Sequence, residues 1–253
     1  MTIDRHTLAI ISIAGSSLDV LGSLYLAYDL LGGQHGPLRT LTRAVTYGVL
    51  YGLGYGLFLG PIFALPTGIA HGITLAWELS RTARHRPKPG IWFDAGMSAI
   101  RGLGFAIGAS YRFGLSFGIT FGVLSTIGQV AAYRAGIRPS IDYAPATRPR
   151  TTWKQLLAAV NRTAGYAVNG YISAWIGNER AQAMALGLWA GLAIGIVTAT
   201  AGTFTPLIEW TADNMPARRM GIIGVCLIIL GFALQSVQYW VALVAPAILS
   251  PVV

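Results

Sequence analysis

The chain has 253 residues, 54% of them hydrophobic and only 11% charged, with a net charge of +9. Soluble domains carry about 25% charged residues because their whole surface must be hydrated, so this composition argues against a water-soluble globule and for a chain coated largely by lipid. A single cysteine, Cys226, excludes an internal disulfide and leaves no cysteine-based metal site.

Apolar runs recur along the chain at lengths near the roughly 20 residues needed to cross about 30 Å of hydrocarbon. The first predicted span, 7–31, continues through Asp19 and is too long for the apolar core of a cleavable signal peptide, so it is taken as a retained helix. The second, 43–60, carries Gly48, Gly52, Gly56 and Gly60 at every fourth position, with Tyr47, Tyr51 and Tyr55 beside them. The third, 64–80, holds His71 between Gly68 and Gly72, and the fourth, 92–110, holds Asp94, Ser98 and Arg101 on one helical face. The fifth, 114–134, repeats the glycine spacing with Gly114, Gly118 and Gly122. The sixth, 155–176, is the most polar and contains Asn161, Arg162 and Asn169. Gly187, Gly191 and Gly195 mark the seventh, 182–208, and the eighth runs over 219–245. The third, fourth and sixth are weak on hydropathy alone. The expected fold is an all-α, single-domain membrane bundle of about eight helices.

Basic residues resist translocation and stay on the cytoplasmic side. With the N-terminus outside and the spans alternating, only Arg5, Arg112 and Arg180 fall outside, and Arg101 and Arg162 lie within spans. All other lysines and arginines, from Arg39 to Arg219, fall at the inner face. This distribution places both termini on the non-cytoplasmic side and suits a plasma or bacterial inner membrane. Basic loops at that face suit anionic lipid headgroups rather than nucleic acid. Six of the seven tryptophans, Trp189 excepted, fall near span ends, where their amphipathic rings favour the headgroup zone.

Spans 2–3, 4–5 and 6–7 read as three hairpins with short outer turns. A shift of 54 residues lays Gly48, Gly54, Gly60 and Gly68 onto Gly102, Gly108, Gly114 and Gly122. A further shift of 63 lays Gly114 onto Gly177, although the rest of the third copy matches poorly. Every hairpin starts inside, so the repeat is parallel and unlike the inverted repeats of many secondary transporters. Glycines four apart give a helix a smooth face that admits close backbone approach, so all ten zipper glycines are assigned to helix packing, within the chain or against other transmembrane helices.

A charged side chain at mid-membrane costs about 2.5–3.5 kcal/mol on insertion scales. Asp19 must therefore face the bundle interior or find a partner, for which Arg101 and Arg162 are the candidates. His71 has the chemistry to ligate a haem or pigment if its flanking glycines leave a slot, but no second intramembrane histidine completes a bis-histidine site, and no cofactor or metal is expected. Phosphate-binding loops, metalloprotease motifs and nucleophile elbows are absent from the sequence, so an enzyme is not expected. The reading favoured is a channel or transporter for an ion or small solute, through a polar interior built from Asp19, Arg101, Asn161, Arg162 and Asn169. The alternative is a non-catalytic scaffold subunit of a larger membrane complex, able to hold a pigment or haem through His71.

Overall fold

The computed structural model describes residues 5–31, 38–83, 90–137, 153–215 and 219–244. Among them every regular element is helical: α1 Arg5–Leu30, α2 Arg39–Leu59, α3 Ala64–Ala83, α4 Ile91–Phe113, α5 Leu115–Arg134, α6 Trp153–Ile176, α7 Ala183–Asn214 and α8 Arg219–Val244. These match the eight expected spans, with the largest difference at the end of α7, which continues to Asn214. A backbone in lipid must satisfy its own N–H and C=O groups, which an uninterrupted helix does and a loop does not.

Five segments are long and apolar enough to cross a membrane: Thr7–Leu30, Pro61–Arg81, Leu115–Arg134, Arg180–Thr205 and Arg219–Val241. Helices α2, α4 and α6 do not reach that hydropathy alone. The third span, expected to be weak, lies in a segment apolar enough to cross, whereas α2, not counted among the weak spans, falls short. Three tyrosines, repeated glycines, Arg39 and Arg43 lower α2, while isoleucine and leucine outweigh His71 in α3. The shortfall thus falls on the first helix of every hairpin.

Burial departs from that in a water-soluble domain. Arg101, His71, Thr67, Thr74 and Ser98 are buried, while Leu57, Leu103, Leu115, Ile127, Ile229 and Phe232 are exposed. Soluble folds bury such apolar side chains and hydrate charged ones. The architecture is compatible with a membrane protein.

The chain divides into two compact units, one of Met1–Thr42 with Ala212–Val253 and one of Arg43–Thr211. In the first, α1 and α8 pack antiparallel through glycines seven residues apart. A Cβ on Gly15 would lie 2.6 Å from the Gly231 carbonyl oxygen, and one on Gly22 would lie 2.5 Å from that of Gly224. A heptad spacing keeps one seam in contact through successive turns, and small residues let the backbones meet there. Asp29 Oδ2 accepts the Gly221 N–H at 3.2 Å, placing an acid at the N-terminal turn of α8, where the helix dipole favours it.

In the second unit the three expected hairpins are present. Gly48 and Gly68 meet across α2 and α3, with each virtual Cβ 2.8–2.9 Å from the other's carbonyl oxygen. Gly102 and Gly122 meet across α4 and α5 in the same way, at 2.6 and 2.8 Å. The shift of 54 residues therefore reproduces a contact as well as a spacing. Between α6 and α7 a Cβ on Gly170 would lie 3.0 Å from the Gly187 Cα, outside the register of the repeat.

The zipper glycines divide into two kinds. Gly52 and Gly56 face α3, Gly118 faces α4, and Gly191 and Gly195 face α6. Gly60 and Gly114, which the sequence reading assigned to packing, are the hairpin turns, with φ of 111° and 90°. An L side chain is strained there, which explains the glycine. A Cβ on Gly114 would meet nothing. In the third hairpin the positive φ falls on Asn178 (65°), one residue after Gly177, and asparagine tolerates that region. Near these turns Arg112 Nη1 donates to the Leu59 carbonyl at 2.6 Å, and its guanidinium lies 4.9 Å from the Trp189 ring. One arginine thereby ties all three hairpins together at the turn end.

Candidate functional site

Polar residues recur at every fourth position along one face of α5: Ser125, Gln129 and Tyr133. Opposite them α6 presents Arg162, Tyr166, Asn169 and Ser173. Between the two helices lies a cavity of about 390 Å³, lined by Ser125, Gln129, Tyr133, Asn161, Arg162, Tyr166 and Asn169 together with small and apolar residues. Gly128 and Gly165, one on each helix, also line it, and a Cβ on either would meet nothing within 4 Å. The absence of side chains at these two positions leaves the space open.

The cavity floor is a hydrogen-bonded lattice. Asn169 Nδ2 donates to Ser125 Oγ at 2.8 Å and to the Phe121 carbonyl at 3.0 Å, and its Oδ1 accepts from Ser173 Oγ at 3.1 Å. Gln129 Nε2 donates to the Tyr166 hydroxyl at 2.9 Å. Gln129 Oε1 is buried and has no donor. Beyond the floor, toward the Gly114 turn, the interior is aromatic: Phe121 stacks on Phe117 at 5.8 Å, Phe117 lies 4.7 Å from Phe113, and Phe113 meets Trp189. Each such pair contributes about 0.5–1.5 kcal/mol beyond its burial.

Electrostatically the site is positive. Arg162 Nη1 reaches Thr198 Oγ1 only at the 3.5 Å limit of a hydrogen bond, so most of its five N–H donors are left to the cavity. Tyr51, Tyr55, Tyr133 and Tyr166 surround it within electrostatic reach. Behind the wall, Arg101 Nε donates to Thr74 Oγ1 at 2.9 Å and its Nη1 donates to the Tyr133 hydroxyl. Among the described lining residues there is no carboxylate.

The polar residues expected from sequence separate into groups. Arg162, Asn161 and Asn169 share the cavity, although Asn161 is exposed and Asn169 is buried. Arg101 reaches it through Tyr133. Asp19 lies in the α1–α8 unit, where its Oδ2 accepts from Gln235 Nε2 and its Oδ1 is buried without a donor. Its hydrogen-bond partner is therefore a glutamine of α8, while the partners of Arg101 are a threonine and a tyrosine. Asp94, Ser98 and Arg101 are all buried along one face of α4, as their spacing implied.

His71 is set within an aromatic cluster. Its ring stacks on Tyr51 at 4.5 Å and 9° and lies 5.4 Å from Tyr55, and its Nδ1 is 2.8 Å from the Thr67 carbonyl. A carbonyl can only accept, so Nδ1 carries the proton. The slot expected beside it for a flat ring is filled by α2: a Cβ on Gly68 would lie 2.9 Å from the Gly48 oxygen, and one on Gly72 would lie 3.0 Å from that of Ala44.

Tyr133 and Tyr166 were missed by the sequence reading. The available signal was the fourfold spacing of Ser125, Gln129 and Tyr133, and of Arg162 and Tyr166. Comparison of the chain with protein-family models, with curated proteins and with solved structures finds no match in any of the three.

Proposed function

We propose that this chain is a multi-pass membrane protein that crosses the bilayer eight times and moves a small solute or ion through its six-helix unit. The observation that carries the reading is the polar cavity with Arg162 on its wall and an aromatic barrier beyond its floor. A polar cavity separated from the hairpin turns by packed rings suits one state of an alternating path.

Eight crossings are supported by the hairpins. Helix α4 runs antiparallel along α5, joined by the single residue Gly114, and α5 is apolar enough to span. A helix laid against a spanning helix over this length crosses with it, although it falls short on hydropathy alone. The same holds for α2 beside α3 and α6 beside α7. The distribution of basic residues supports a cavity mouth at the cytoplasmic face, in a plasma or inner membrane, with both termini outside. The scaffold alternative draws on the glycine zippers, the short outer loops and the absence of catalytic groups, and most of the glycine faces are occupied within hairpins.

Topology is tested with Ile62→Cys and Lys88→Cys, each made in a Cys226→Ala background. Membrane-impermeant thiol reagents are expected to label the first from outside intact cells and the second only after permeabilisation. Labelling of both from one side would remove the eight-crossing map.

Transport is tested by flux from proteoliposomes over a panel of ions and small metabolites. Arg162→Gln is expected to lower the flux of the transported solute about tenfold or more, the equivalent of losing one hydrogen bond from a charged group. Asp19→Asn is expected to leave flux within about twofold, because Asp19 is bonded to Gln235 in the α1–α8 unit and does not line the cavity. Leakage equal to that of empty vesicles for every solute would overturn the proposal.

A further inference from the structure

We infer that the cavity between α5 and α6 selects a small organic anion that carries its own hydrogen-bond donor, such as a hydroxyl or ammonium group, beside its negative charge. This rests on reading the cavity as a solute site, and it specifies the chemistry of the occupant.

Two groups define the choice. Arg162 presents a guanidinium whose recorded hydrogen bond is a single 3.5 Å contact to Thr198, so it offers several donors and a fixed positive charge. Arginine forks match carboxylate and phosphate oxygens in paired geometry. Gln129 has its amide nitrogen engaged by Tyr166, while its carbonyl oxygen is buried without any donor. The residue is only 7% exposed and belongs to the cavity lining. A buried acceptor left unpaired is uncommon in native proteins, and each instance calls for an explanation. A ligand that donates one hydrogen bond to Gln129 and accepts others from Arg162 satisfies both groups at once. A simple halide or a donor-free carboxylate satisfies only the arginine.

The remaining walls fit a ligand of this kind. The lining has no described carboxylate to repel an anion. Exposed Asn161 stands at the same cavity and offers either a donor or an acceptor. The volume of about 390 Å³ falls within the range of about 300–1,000 Å³ of small-molecule sites. Such chemistry occurs both in soluble hydroxy- or amino acids and in the headgroups of anionic lipids.

The test uses the whole chain in phosphatidylcholine nanodiscs, with stabilisation against thermal unfolding as the measure of binding. For the soluble source, lactate is compared with propionate, which has the same charge and lacks the hydroxyl. For the lipid source, discs containing phosphatidylglycerol are compared with discs containing phosphatidylmethanol, which has the same charge and no free hydroxyl. At least one pair is expected to show about tenfold or greater preference for the hydroxylated member, because sites built to hydrogen-bond a group reject analogues that lack it. Gln129→Leu is expected to abolish that preference while leaving binding of the donor-free anion, and Arg162→Gln is expected to abolish both.

The wild-type comparison stands even if Gln129→Leu fails to fold. Equal stabilisation within both pairs, or none by any of the four, would overturn the inference. A protein that prefers lactate yet carries no solute across a vesicle upholds it and sinks the transport reading. One that transports solutes without any such preference does the reverse.

Discussion

Gly102→Leu is expected to prevent the second hairpin from closing, while Gly128→Leu is expected to be tolerated. Both glycines are helical and hairpin 2 contains both, so helix propensity favours leucine about equally at the two positions. Their surroundings differ. A Cβ on Gly102 would lie 2.6 Å from the backbone oxygen of Gly122 and would also strike Thr126. Backbone cannot rotate aside, so α4 and α5 would have to part along their most intimate seam. Overpacking costs about 1–3 kcal/mol and occasionally more, and the upper end of that range is expected here. A Cβ on Gly128 meets nothing, so leucine there fills part of the cavity and leaves the seam intact. Size-exclusion profiles and thermal unfolding in mild detergent read the outcome. Equal losses for the two variants would show that the close Gly102–Gly122 approach does not hold the hairpin together.

Tyr133→Phe is expected to destabilise the six-helix unit by about 1.5–3 kcal/mol, the range for a hydrogen bond to a charged group. Arg101→Met is expected to cost less. Arg101 is 2% exposed, and its guanidinium leans on the Thr74 and Tyr133 hydroxyls. Removing the Tyr133 hydroxyl leaves the charge buried with one acceptor fewer. Replacing the arginine with methionine removes the charge itself at similar volume, and with it the desolvation cost of a buried ion. Thr74 is not orphaned by that change, because its hydroxyl also donates to the His71 carbonyl at 2.9 Å. Denaturant midpoints of the two variants give the comparison. A greater loss for Arg101→Met would mean that the positive charge itself holds the helices together.

Much of the architecture can be read from the residues in order. The eight apolar runs become eight helices with nearly the same limits, and the three hairpins follow from their short connections. The α1–α8 seam was also legible, in the seven-residue spacing of Gly15 with Gly22 and of Gly224 with Gly231, but a search at fourfold spacing passes over it. Gly60 and Gly114 show a different limit. Each lies at the end of a glycine series, and spacing does not distinguish a groove residue from one held at positive φ. Asp19 and the arginines show a third. Their charges suggested a pair, whereas the structure gives Asp19 to Gln235 and Arg101 to Thr74 and Tyr133.

The sequence by itself determined where helices begin and end and which neighbours fold back on each other. Those outcomes depend on local quantities: the transfer of each stretch between water and lipid, and the few residues available for a turn. Only the tertiary structure decided which side chains share the cavity, that Gln129 keeps an unpaired oxygen, and what fills the space beside His71. Those depend on how far each helix is rotated and slid against the next. One residue of slip turns a helix by about 100° and exchanges one set of facing groups for another.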